Sequence, residues 1–173
     1  MLTLTCLFAV AVRTGSCGAI YTLSAQPDGL IARNHLHVAP ILGCFGELPK
    51  CSNNQGIYHD AGSAFIVDRE NVIDNGDCWL SLCGWDPGGC GIRNMTVRGN
   101  YMPTAAVKRE GPICCCHGQG INGHSSVNGS SLADVIAGDN VEVKSAAPGG
   151  APQWPAEALE IIHSAGARGT GAP

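Results

Sequence analysis

The chain has 173 residues, a formal charge of −4 and only 14 % charged side chains, with no basic block, so one domain and no nucleic-acid partner are expected. Glycine at 24 positions and proline at 10 imply many turns, and with 5 % aromatic residues the core must rest on Ile, Val, Leu and Ala. The N-terminal apolar run, Leu2 to Ala11, is too short to span a bilayer as a helix, so no membrane span is expected.

In chain order, residues 1–15 form an apolar segment. It reads as a remnant strand alternating Leu2/Leu4 with Thr3/Thr5, or as a signal-like stretch lacking a positive n-region. Residues 16–38 carry the first clear repeat unit, and 39–55 are a Gly/Pro/Cys/Asn-rich excursion. Residues 56–75 carry the second unit, 76–91 a shorter connection with Trp79 and Trp85, and 92–102 the third. A long irregular insertion at 103–131 contains Cys114, Cys115, Cys116 and His117, and a last unit sits at 132–143. The repeat region as a whole is 16–144; residues 145–173 comprise a linker, a helix and a tail expected to be disordered. The helix is expected from Trp154 to Gly166. Pro155 suits its first turn, Glu157 its positive end and Gly166 its stop, with Ala158, Leu159, Ile162 and Ala165 as its apolar stripe.

The units are related by fixed offsets. Tyr21 to Tyr58 and Asn34 to Asn71 are both 37 residues, and Asn71 to Asn100 is 29. A weaker copy surrounds Asn140. Periods of 20–50 residues signal stacked repeats. Each unit is a short β-branched run, an Asn and another apolar run. Asn tolerates the left-handed conformation of a tight turn, and stacked amides can bond along the pile. Asn34, Asn71 and Asn100 are therefore expected to form a buried ladder. Asp68 falls where Ile31 and Val97 predict an apolar residue, which implies a register shift or a bulge.

Gly18-Ala19-Ile20-Tyr21, Gly56-Ile57-Tyr58-His59-Asp60-Ala61-Gly62-Ser63 and the Asn-turn repeats resemble right-handed parallel β-helix proteins of the pectin-lyase-like superfamily. The resemblance covers roughly residues 16 to 165. It implies an all-β solenoid of about four to five coils, closed by a short C-terminal capping helix and forming the C-terminal part of a longer helix. It also implies a carbohydrate-active protein, glycosidase- or lyase-like, acting on or binding a polysaccharide or oligosaccharide. The alternative is a non-catalytic extracellular binding or structural module. The oligomeric state is left open.

Ten cysteines point to an oxidising compartment, hence a secreted or extracellular protein. Cys44 with Cys51, and the group Cys78, Cys83 and Cys90, bracket loops that disulfides could close; the connectivity is not deducible. His59 and Asp60 depart from the repeat, since Thr22 and Leu23 stand in their place one unit earlier. They are the candidate catalytic pair, with Asp74 as a second carboxylate. The competing reading is an Asx turn at Asp60. Tyr58, Trp79 and Trp85 are candidate sugar contacts. His35 and His37 share one strand face and, with His59, could form a three-imidazole site, but solvated outward positions are the commoner reading. No metal or cofactor is assigned.

Overall fold

In the computed structural model the described residues are 2–3, 6–9, 18–38, 55–74, 78–82, 92–106, 134–147 and 150–165. Besides a single 3-10 turn at Thr104–Ala106, they form thirteen strands and one α-helix. In chain order these are β1 (Leu2–Thr3), β2 (Cys6–Ala9), β3 (Gly18–Thr22), β4 (Ala25–Ala32), β5 (His35–Val38), β6 (Gln55–His59) and β7 (Ala64–Arg69). They continue as β8 (Val72–Asp74), β9 (Cys78–Leu82), β10 (Met95–Arg98), β11 (Tyr101–Pro103), β12 (Val135–Gly138), β13 (Val141–Val143) and α1 (Ala156–Ser164).

The strands lie in three sheets. Sheet A runs β1-β4-β7-β10-β12, sheet B runs β2-β5-β8-β11-β13, and sheet C runs β3-β6-β9. Every pairing between these strands is parallel. Parallel neighbours need a long connection between them. Here the other two sheets supply it from β1 through β10, because each strand meets its next partner only after the chain has visited both; between β10 and β12 the described strand is β11 of sheet B. The arrangement is all-β, parallel and compatible with a β-helix solenoid. The 37-residue offset is realised as backbone register, with Tyr21 against Tyr58 and Leu36 against Ile73. The 29-residue offset sets Val72 against Tyr101.

Alternation sends one row of each sheet inward. Ile20, Ile57 and Leu80 come from sheet C, Leu36, Ile73 and Met102 from sheet B, and Ile66, Met95 and Val135 from sheet A; all are buried in one cluster. Burying each such side chain contributes roughly 1.5–3 kcal/mol before chain entropy is set against it. Asp68 is in this interior as well. It pairs in register with Ile31 and Val97 and is fully buried, so neither a shift nor a bulge accounts for it. The irregularity in that sheet lies earlier, between Ala25 and Gly29.

The corner between sheets A and B repeats four times. Arg33, Glu70, Gly99 and Asp139 have positive φ of 54°, 53°, 62° and 56°. Each is followed by a buried asparagine: Asn34, Asn71, Asn100 and Asn140. The left-handed residue is thus the one before the asparagine, not the asparagine as the sequence suggests. The asparagines form the expected ladder. Asn34 Nδ2 donates to Asn71 Oδ1, Asn71 Nδ2 to Asn100 Oδ1 and Asn100 Nδ2 to Asn140 Oδ1, each at 2.9 Å. The same three oxygens accept from the backbone N–H of Asn34, Asn71 and Asn100.

Three expected boundaries change. Residues 76–91 contain β9, a strand of sheet C, rather than only a connection. β6 begins at Gln55, within the expected excursion. The helix is Ala156–Ser164, with Pro155 at the N-cap position. Its buried face is Ala158 and Ile161, while Leu159 is exposed. The helix packs on Val72 and Tyr101 together with Trp154. β8 and β11 are inner strands of sheet B, so α1 covers a sheet face and does not cap an end. The reason is local: Val72 and Tyr101 face away from the interior and need apolar cover. Most of the excursion at 39–55, most of the insertion at 103–131, the Cys114–His117 cluster and the tail lie outside the described residues, as do the cysteines proposed for loop closure other than Cys78.

Candidate functional site

His59 ends β6 with its side chain turned into the interior, where it is fully buried. Its Nε2 lies 2.7 Å from Asp68 Oδ2, and its Nδ1 lies 2.6 Å from the Thr22 hydroxyl. That hydroxyl is 2.8 Å from Ser63 Oγ. The chain Asp68–His59–Thr22–Ser63 joins a carboxylate, an imidazole and two hydroxyls, which in an open cleft would suggest nucleophilic catalysis. All four residues are buried, at 0–6 % exposure, so no substrate reaches them as they stand. Asp68 Oδ1 is buried without a hydrogen-bond partner.

Asp60 turns elsewhere. Its Oδ2 accepts a hydrogen bond from the Tyr21 hydroxyl at 2.5 Å, and its Oδ1 accepts one from the backbone N–H of Ala61 at 2.7 Å. The second contact goes to the adjacent residue and is therefore not the Asx turn of the competing reading, which needs the N–H two residues on. The turn is closed by backbone instead, with the Ser63 N–H donating to the Asp60 carbonyl at 3.0 Å. Burial, and after it the hydrogen bond and negative charge of Asp60, push the Tyr21 phenol up to about 12. Asp74 is on sheet B, where its carboxylate meets His35 and His37. The three candidate catalytic residues therefore do not converge: His59 joins Asp68, Asp60 joins Tyr21 and Asp74 joins two other histidines. Tyr58 is buried with its ring edge-on to Tyr21 at 5.2 Å. Trp79 is buried in the interior cluster, and Trp85 lies outside the described residues. His59 is likewise apart from His35 and His37, so the three-imidazole set is not assembled.

An open surface lies on the outer face of sheet A. A groove of about 670 Å³ crosses β4, β7 and β10. Register builds it from two outward rows. Leu30, Val67 and Thr96 form the first, and Arg69 and Arg98 stand side by side in the second. Its edge is a second row of left-handed corners, Asp28, Phe65 and Asn94, with φ of 61°, 62° and 51°. Gly29 against Ile66 and Arg93 against Ala64 bring these corners into line. A bulky residue at positive φ is uncommon and is held there by its surroundings. Phe65 is 40 % exposed, and the Arg93 guanidinium lies 5.5 Å from its ring centroid. The sequence reading missed Phe65, Arg69 and Arg98 as surface-forming residues. The signal was phase: Ala64, Ile66 and Asp68 point inward, so Phe65, Val67 and Arg69 point out.

No protein-family model, curated protein or solved structure matches this chain.

Proposed function

We propose that this protein is a right-handed parallel β-helix of about four to five coils, similar to the pectin-lyase-like proteins, that binds polysaccharide outside the cell. The observation that carries this reading is Phe65, held exposed in a left-handed conformation at the edge of a groove that also presents Arg69 and Arg98. An exposed aromatic ring offers an apolar face on which a sugar can stack. Two arginines in adjacent strands, about 4.8 Å apart along the sheet, offer forked donors to hydroxyls and carboxylates of successive units of a chain. Arg98 also pairs with Asp139 at 3.1 Å, and Arg69 approaches Glu70 at 3.7 Å; both pairs are exposed, so a ligand displaces them at little cost. Ten cysteines accord with an oxidising compartment.

Binding without bond cleavage fits the groove better than hydrolysis. Acid–base hydrolysis of a glycoside uses two carboxylates flanking the bond. Among the described lining residues the carboxylate is Asp28 alone. Affinity electrophoresis across a panel of neutral and uronic-acid polysaccharides tests the reading. The parent should be retarded by at least one of them. Phe65→Ala and the double variant Arg69→Ala/Arg98→Ala should each lose about tenfold or more in affinity, the loss of ~1.4 kcal/mol per decade, with melting temperatures close to the parent. A parent that migrates freely in every gel, or variants retarded as strongly as the parent, would overturn it.

A further inference from the structure

His35 and His37 point outward from β5, and Asp74 stands beside His37 on the adjacent strand β8. Both imidazoles turn toward that one carboxylate. His35 Nε2 lies 2.7 Å from Asp74 Oδ2, and His37 Nδ1 contacts Asp74 Oδ1. The rings sit 6.4 Å apart at an angle of 68°, so they do not stack on each other. One nitrogen from each ring and one carboxylate oxygen all lie within 4.8 Å of one another. This face belongs to sheet B, whereas the groove is on sheet A, so the cluster is independent of glycan binding.

We propose that His35, His37 and Asp74 form a binding site for one zinc-class divalent transition-metal ion. The donor set decides the class. Two imidazoles and one carboxylate suit zinc, cobalt or iron, whereas calcium and magnesium require mainly oxygen ligands, and only one residue here supplies them. Ligand atoms around a tetrahedral ion at about 2.0–2.2 Å lie roughly 3.4 Å apart, so small side-chain rotations bring the three into range. Each imidazole then uses the nitrogen that now faces Asp74 as a ligand and keeps its proton on the other nitrogen. The backbone under all three is paired β-sheet, which holds the ligands near their places before the ion arrives. The side chains of His35 and Asp74 are 14 % and 16 % exposed and that of His37 is 42 %, so the site is open on the His37 side. Three protein ligands leave a coordination position for water or an outside group.

Cobalt(II) titration of the full chain, followed by visible absorption and repeated with zinc by calorimetry, tests the proposal. One ion per chain should bind with the d–d bands of a nitrogen and oxygen donor set, and millimolar-range calcium or magnesium should not displace it. His37→Ala and Asp74→Asn should each weaken binding by about tenfold or more. His37 is the most exposed of the three, so its variant keeps the test informative if Asp74→Asn misfolds. The absence of saturable binding overturns the proposal. So does a spectrum dominated by thiolate-to-cobalt charge transfer that His37→Ala leaves unchanged, because the ion would then reside among cysteines.

Discussion

Asp68 occupies an inward position between Ile31 and Val97, where an apolar side chain would be expected, and His59 is the residue that makes it tenable. A buried polar group costs little only when its partners are in place. Asp68 Oδ1 already has none, which itself costs on the order of 1–3 kcal/mol. His59→Ala should therefore destabilise the fold by about 3–5 kcal/mol in urea denaturation, since it strips Asp68 of its imidazole in a buried site. The double variant His59→Leu/Asp68→Leu should recover most of that loss, because apolar replacement of both partners removes the desolvation cost. If the double variant is no more stable than His59→Ala, the pair is not the source of the cost. Tyr21 makes a second prediction. Its phenol titrates near 12 when folded and near 10 when unfolded, so folding favours the protonated form. That contribution is complete below pH ~10 and disappears as the pH rises toward ~12. Tyr21→Phe should flatten the alkaline fall in stability, and the highest-pH phenolate absorbance step should shrink in the same variant. An unchanged alkaline limb would place the effect elsewhere; Tyr101, raised by burial and then by Glu157 and Glu70, is the other candidate.

The repeated corner is the element on which the stack depends. Each amide oxygen of Asn71 and Asn100 accepts two bonds from the preceding corner, and each Nδ2 donates both to the next asparagine and to a strand carbonyl. Asn71→Ala removes both roles at once and leaves the Asn34 backbone N–H buried without that acceptor. We expect a loss of about 1–3 kcal/mol, read as a lower midpoint of thermal or urea unfolding; a parent-like midpoint would mean that the ladder is not a source of stability. The ladder was legible in the sequence because the asparagines keep the period of the strands. The left-handed residue was not, because Arg33, Glu70, Gly99 and Asp139 share no side-chain chemistry. Only the backbone geometry they adopt is common. The helix shows the same division. Its existence follows from Pro155, Glu157 and the run of helix formers, but its buried face turns on which residues of sheet B need cover. Val72 and Tyr101 select Ala158 and Ile161, and Leu159 is left exposed.

At the scale of the molecule, parallel stacking converts sequence offsets into spatial rows. Residues 37 positions apart become neighbours in sheets B and C, as Tyr21 and Tyr58 or His37 and Asp74 show. Offsets alone do not say how many sheets the chain visits between those neighbours. The apolar runs suggest two strands per unit, whereas the structure has three sheets. β9 was hidden because all five of its residues are buried, so the alternation that marks a half-exposed strand is missing. The sequence by itself determined the parallel repeat, the register of its units and the asparagine ladder, because these depend on spacing and on one residue type. The tertiary structure decided which polar side chains meet. His59 and Asp60 are adjacent in the chain, yet one faces the interior and the other accepts from Tyr21, because successive strand residues point to opposite sides and the strand ends between them. His35, His37 and Asp74 meet because two strands lie side by side, and Phe65 joins Arg69 and Arg98 because three do. Such meetings depend on sheet pairing and side-chain direction together, and no local stretch of the chain contains both.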